Sequence, residues 1–131
     1  HVEEGYDDWM FMYNTNFMTT LNCCQQILPF MKRSGWGKII NMGSQTAIRS
    51  MPLAGPYCAS KAAVHSLTQT IALENCNGIT CNAIVPGIID TPANRNNMPD
   101  ADHGGWVPLV GLAQNIEKIL LSNENGLLLE V

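Results

Sequence analysis

The chain has 131 residues, the size of one compact domain, and 46% of them are apolar, enough for a core and too many for a disordered segment. A net charge of −4, with no Lys/Arg cluster, argues against nucleic acid and anionic membrane as partners. The longest nearly uninterrupted apolar stretch, residues 83–89, is far too short to span a bilayer, and no basic segment followed by an apolar one marks export.

The first residues, 3–8, are acidic and suit a helix N-terminus, where carboxylates complement the dipole. Residues 9–32 carry apolar and aromatic side chains at helical spacing, with no Gly or Pro before Pro29. They predict one long, largely buried helix that ends before Ser34-Gly35-Trp36-Gly37. Residues 38–42 form a short apolar strand running into Gly43-Ser44, and 45–55 read as loop. A second helix is predicted over 57–75, with Pro56 suited to its start. Asn77-Gly78 is a turn, and 79–85 is a buried strand stopped by Pro86-Gly87. The polar, Pro-rich residues 90–107 are too long for an ordinary connection and predict a functional or mobile segment. A third helix over 110–121 and a strand over 127–131 complete the chain. This alternation of helix and strand is the pattern of a parallel α/β sheet, and three strands make roughly half of a doubly wound nucleotide-binding fold.

In such a sheet, ligands sit beyond the carboxyl ends of the strands, and there fall Ser44, Tyr57 and Pro86-Gly87. Tyr57 and Lys61 are four apart at a helix start, one above the other on a single face. A phenol, with a pKa near ~10, is a poor base at neutral pH, and a cation one turn away favours the phenolate. A serine hydroxyl nearby can then hydrogen-bond a substrate oxygen while the phenol exchanges a proton with it.

These residues carry a resemblance to the short-chain dehydrogenase/reductase family. Tyr57-x-x-x-Lys61 follows Ser44 by thirteen residues, and Asn82-Ala83-Ile84-Val85-Pro86-Gly87 is followed by Thr91. Trp9 precedes Asn16 by seven. The resemblance begins at about Asp7 and runs through the rest of the chain. It implies a partial doubly wound Rossmann-type parallel sheet with flanking helices, residues 1–131 forming the C-terminal, active-site half of the fold as one partial domain. The family's Gly-rich turn, ribose selector and Asn-Asn-Ala-Gly segment belong to an N-terminal, dinucleotide-anchoring half that is not in these residues. Gly35-Trp36-Gly37 is no substitute, because it precedes a strand.

By the same resemblance, Tyr57 is the proton donor or acceptor and Ser44 polarises the substrate carbonyl. Lys61 assists the phenol and hydrogen-bonds the nicotinamide ribose, and Asn16 holds a water in the proton relay. Pro86, Gly87, Ile89 and Thr91 hold the nicotinamide carboxamide. The implied cofactor is NAD or NADP, and the implied reaction is hydride transfer to or from a small carbonyl, alcohol or dihydropterin-like substrate. Residues 90–109 resemble the dihydropteridine reductase branch of the superfamily, through Asp90-Thr91-Pro92-Ala93-Asn94-Arg95, the run Met98-Pro99-Asp100-Ala101-Asp102, and Trp106-x-Pro108-Leu109. Family members commonly pair through helices equivalent to 9–32 and 57–75, which implies a homodimer or homotetramer. The alternative is a non-catalytic fragment or binding module that retains the fold without turnover.

Other residues take plainer readings. Five cysteines, with no C-x-x-C pair, suggest neither a disulfide framework nor a zinc site; reduced, mostly buried thiols and a cytoplasmic location are expected. His65, four after Lys61, reads as a structural histidine at the border of the site. Asp100, Asp102 and His103 read as a solvated loop, and no metal is expected.

Overall fold

A computed structural model describes all 131 residues. The first helix begins where the acidic run places it. Helix α1 spans Tyr6–Tyr13, with Asp7 and Asp8 in its first turn. A π-helical turn, Asn14–Met18, then joins it without a break to α2, Thr19–Ser34. In that turn the Thr19 N–H reaches back five residues, to the Asn14 carbonyl. Gly35 ends α2 in the left-handed conformation, at φ 70°.

This long helix is less buried than the sequence predicts. Only Cys24 of α2 is buried, and Phe11, Ile27 and Phe30 are exposed. Its apolar side chains point in several directions, and the sheet with its neighbouring helix covers only one of them.

Strand β1, Gly37–Met42, runs to the turn at Gly43-Ser44. Helix α3, Gly55–Glu74, has Pro56 in its first turn and buries Val64, Thr68 and Ile71 among others. Strand β2, Ile79–Val85, lies at the centre of the sheet and is buried along almost its whole length, which explains its mainly apolar sequence. The segment after it holds more structure than a loop. It contains strand β3 (Ile89–Asp90), helix α4 (Pro92–Asn97) and strand β4 (Val107–Pro108), with β3 and β4 paired in parallel. Helix α5, Leu109–Leu121, leads to strand β5, Leu128–Glu130.

The main sheet has the order β1-β2-β5, all parallel. Gly37 pairs with Ile79 and Met42 with Ile84, so β1 and β2 reach their carboxyl ends together. Cys24, Ile39, Ile71, Ala72 and Cys81 form a core between α2, α3 and the sheet, flanked by Leu28, Met31 and Leu67. Burial pushes the Cys81 thiol up to about 12 and raises that of Cys24, so both behave as small apolar groups. Cys58 is also buried, whereas Cys23 and Cys76 are exposed.

Buried polar side chains tie the layers together. The Asn41 amide donates to Thr68 Oγ1 at 2.9 Å. Asn82 donates to the Glu124 carbonyl at 2.8 Å and accepts from the Leu127 N–H at 2.9 Å, which latches β2 to the turn before β5. That latch gives the asparagine of Asn82-Ala83-Ile84-Val85-Pro86-Gly87 a structural task. No helix is long and apolar enough to cross a membrane.

Candidate active site

Beyond the carboxyl ends of β1 and β2 opens a cleft of about 580 Å³. Ser44, Tyr57, Lys61, Pro86, Gly87 and Ile89 line it together, so six of the eight residues singled out in the sequence converge there. Asn16 and Thr91 do not line it. The Asn16 side-chain amide, at the π-helical turn, donates to Ser60 Oγ at 3.0 Å, and Ser60 Oγ donates to the Tyr57 carbonyl at 2.8 Å. Thr91 caps α4, its hydroxyl accepting the Asn94 N–H at 3.1 Å.

Tyr57 stands in the first turn of α3, whose Pro56 start fixes where the helix begins relative to the strand ends. Lys61 follows one turn later. Its Nζ donates to the Met42 carbonyl at 3.0 Å and lies 5.9 Å from the centre of the Tyr57 ring. Burial holds its ammonium below the ordinary lysine range. The cation is thus fixed at the end of β1 and faces the phenol side of the cleft.

Ser44 begins a short 3₁₀ turn, Gln45–Ala47, and is itself buried. Its Oγ accepts the Thr46 N–H at 3.3 Å and lies 2.9 Å from Thr46 Oγ1. Its N–H donates to His65 Nε2 at 3.3 Å. The turn after β2 is locked to its neighbours, since the Pro86 carbonyl accepts from the Gln45 N–H and the Gly87 N–H donates to the Val131 carbonyl, both at 3.0 Å. The Ile89 carbonyl takes the Asn94 amide at 2.8 Å.

At the ends of β1 and β2, Gly43 has no room for a side chain and Gly87 has little. A Cβ on Gly43 would lie 2.2 Å from His65 Nε2, and one on Gly87 would lie 3.3 Å from Gln45 Oε1. The cleft therefore meets bare backbone at Gly43, with the half-buried Lys61 ammonium and the hydroxyls of Ser44, Thr46 and Tyr57 around it. These residues fit the flat nicotinamide end of a dinucleotide, which needs close backbone approach and a few fixed polar groups.

Several residues of the site escaped the sequence reading. Gln45, Thr46 and Arg49 also line the cleft, where the motif-bearing segment 90–107 contributes Asn94 and Met98. Thr91-Pro92 is a capping threonine followed by a helix-starting proline, a signal for α4 that was present in the sequence. His65 sits four residues after Lys61, so the spacing already put it on the face of α3 that carries the phenol and the ammonium. Asp100, Asp102 and His103 do not come together in a metal-binding cluster. Asp102 caps the Gly104 N–H at 2.9 Å, and the His103 Nε2 is 3.1 Å from the Met98 carbonyl.

A parallel sheet with helices on its faces and a cleft at its carboxyl edge is the fold of a nucleotide-binding α/β protein. The short chain dehydrogenase family profile matches residues 3–102, and the chain belongs to that family. It is 39% identical over 95 residues to the 3beta-hydroxysteroid dehydrogenase of Mediterraneibacter gnavus, a match covering 72% of this chain and 34% of the relative. It is 35% identical over 122 residues to the 3-oxoacyl-[acyl-carrier-protein] reductase of Pseudomonas aeruginosa, covering 87% and 48%. It superposes on the gluconate 5-dehydrogenase of Burkholderia cenocepacia, solved with NADP and tartrate, with a TM-score of 0.85 and 28% identity, covering 98% of this chain and 56% of that one. The chain thus spans a third to a little over half of the proteins it matches.

Proposed function

We propose that the chain carries the active-site half of an NAD(P)-dependent oxidoreductase acting on a small carbonyl or alcohol. The observation that carries this reading is the meeting of Ser44, Tyr57 and Lys61 on one cleft at the carboxyl ends of β1 and β2. When bound, the nicotinamide supplies or accepts the hydride. Tyr57 gives its proton to the substrate oxygen in reduction and takes it back in oxidation. The Ser44 hydroxyl donates a hydrogen bond to the same oxygen and stabilises the charge that gathers there. The Lys61 ammonium, with Tyr57, binds the ribose. Pro86, Gly87 and Ile89 hold the carboxamide end, and Thr91, outside the cleft lining, caps the helix that follows them. Asn16, placed where the π turn opens the helix backbone, holds the relay water behind Tyr57. A non-catalytic module has no use for a half-buried lysine beside a cleft-lining phenol, and this arrangement favours catalysis.

A dihydropterin substrate is the weaker reading, because the residues suited to a flat heterocycle are spent within their own segment. Arg95 makes two bonds to the Asp90 carboxylate, at 2.5 and 2.8 Å. The Trp106 ring packs on His103 with centroids 4.2 Å apart. From 90–107 the cleft receives Asn94 and Met98.

In the full-length protein, Tyr57→Phe is expected to fold normally and lose at least about 10²-fold in kcat. Near-normal turnover of a panel of small ketones and alcohols by this variant would sink the assignment. We also assign the exposed apolar side chains of Phe11, Ile27, Phe30 and Leu73 to an interface between subunits, giving a dimer or tetramer through helices 9–32 and 57–75. Light scattering at tens of micromolar tests this, and a clean monomer overturns it. Exposed free thiols at Cys23 and Cys76 suit a reducing, cytoplasmic setting.

A further inference from the structure

A side chain is aimed only as well as the backbone that carries it is held. The turn leaving β1 is held by α3, residue by residue. The Met42 carbonyl accepts from Lys61 Nζ at 3.0 Å. Gly43 has no side chain because the imidazole of His65 fills the place, with Nε2 2.2 Å and Cδ2 2.8 Å from where a Cβ would be. The Ser44 N–H donates to that same Nε2 at 3.3 Å. Tyr57, Lys61 and His65 lie at successive four-residue steps, so the face of α3 that carries the phenol and the ammonium continues into this imidazole.

We propose that His65 is a positioning residue for catalysis, its neutral imidazole fixing the Ser44 turn through Nε2 and so aiming the Ser44 hydroxyl at the substrate oxygen. The inference rests on reading Ser44, Tyr57 and Lys61 as the catalytic group. Only an imidazole with a free lone pair on Nε2 can accept the Ser44 N–H; a doubly protonated ring would present a donor to a donor. Burial, with the Lys61 charge adding to it, holds His65 below its ordinary pKa and keeps the lone pair available. The Ser44 hydroxyl is already tied to Thr46, so its direction follows the backbone of its own turn. A shift of about 1 Å in such a group can cost on the order of 10²-fold in rate.

The test uses the full-length protein and pairs kinetics with spectroscopy. His65→Leu removes the acceptor and is expected to lower kcat about 10- to 100-fold with the KM for dinucleotide little changed. His65→Gln keeps an acceptor oxygen and is expected to recover most of that loss. Because His65 acts through Ser44, His65→Leu should add little to the loss already caused by Ser44→Ala. Nitrogen NMR of the resting protein should find the His65 proton on Nδ1 and Nε2 bare. The proposal is overturned by wild-type kcat in folded His65→Leu, by equal losses in the Leu and Gln variants that persist beside Ser44→Ala, or by a proton on Nε2. If His65→Leu does not fold, a large kcat loss in folded His65→Gln overturns it equally. Normal turnover by Tyr57→Phe would instead remove Tyr57 from the catalytic group, and total absence of turnover by the wild-type protein would remove the oxidoreductase reading; in both cases the NMR measurement still decides the His65–Ser44 contact.

Discussion

Replacing Gly43 by alanine adds one methyl group at the joint between sheet and site. That methyl carbon would lie 2.2 Å from His65 Nε2, 2.8 Å from its Cδ2 and 3.1 Å from Val85 Cγ2. Ordinary contacts of this kind are about 3.5–4.0 Å, so the imidazole must move by more than an ångström. His65 is 6% exposed and Val85 is fully buried, and neither has open space to enter. Overpacking of this sort costs about 1–3 kcal/mol. The displaced ring also abandons the Ser44 N–H, and a buried donor left unpaired costs about 1–3 kcal/mol more. The expected loss is therefore about 2–6 kcal/mol, a fall in Tm on the order of 10 °C or more for a domain of this size. Urea unfolding followed by circular dichroism measures it. The decisive comparison is the same substitution in a His65→Ala background, where the space is free and the donor is already unpaired. There Gly43→Ala should cost under about 1 kcal/mol, which gives a strong coupling between the two positions. Losses that add within about 0.5 kcal/mol would refute the packing argument.

Gly78→Ala should also be costly, by at least about 2 kcal/mol, because Gly78 has φ +82° and a Cβ there would lie 2.2 Å from the Gly35 carbonyl oxygen, a backbone atom that cannot swing aside. Gly105→Ala, with nothing within 4 Å, should change stability by less than about 0.5 kcal/mol, and equal urea midpoints for the two variants would count against the argument. Acidification should destabilise the fold through His65: its folded pKa lies below the ordinary 6.5, so the unfolded chain binds the proton first and stability is lost as pH falls from 6.5 toward the lower folded value. His65→Gln should flatten that slope, and urea midpoints at several pH values across this window, identical in slope for the two proteins, would exclude the contribution.

Much of this architecture was legible because its signals are local. A mainly apolar run closed by Pro86-Gly87 marks β2, and Pro56 marks the start of α3. The spacing of Ser44, Tyr57 and Lys61 placed three groups on one cleft, since strand ends and a helix start are themselves local events. The π turn at Asn14–Met18 carries no Gly or Pro, and nothing in its residues announces a shift from four-residue to five-residue hydrogen bonds. The exposure of Phe11 and Phe30 was hidden because periodicity counts apolar residues and says nothing of what covers them. His65 was placed on the right helix face, yet its partner is a backbone N–H 21 residues earlier, a contact no spacing rule contains.

The parallel ladders also dictate an order of assembly. Gly37 meets Ile79 across 42 positions of chain, and Ala83 meets Leu128 across 45. No hairpin offers a short route, so every ladder bond must first close a long loop and bear its entropy. Those loops are not slack, because α3 fills the first and α5 the second. Helices form through neighbouring residues, and once formed they bring the distant strands within reach. Folding of this sheet is accordingly expected to be slow for its size, with α3 expected in the nucleus and the three-residue β5 expected to join late. Substitutions that weaken α3 should slow folding, while those in β5 should chiefly hasten unfolding.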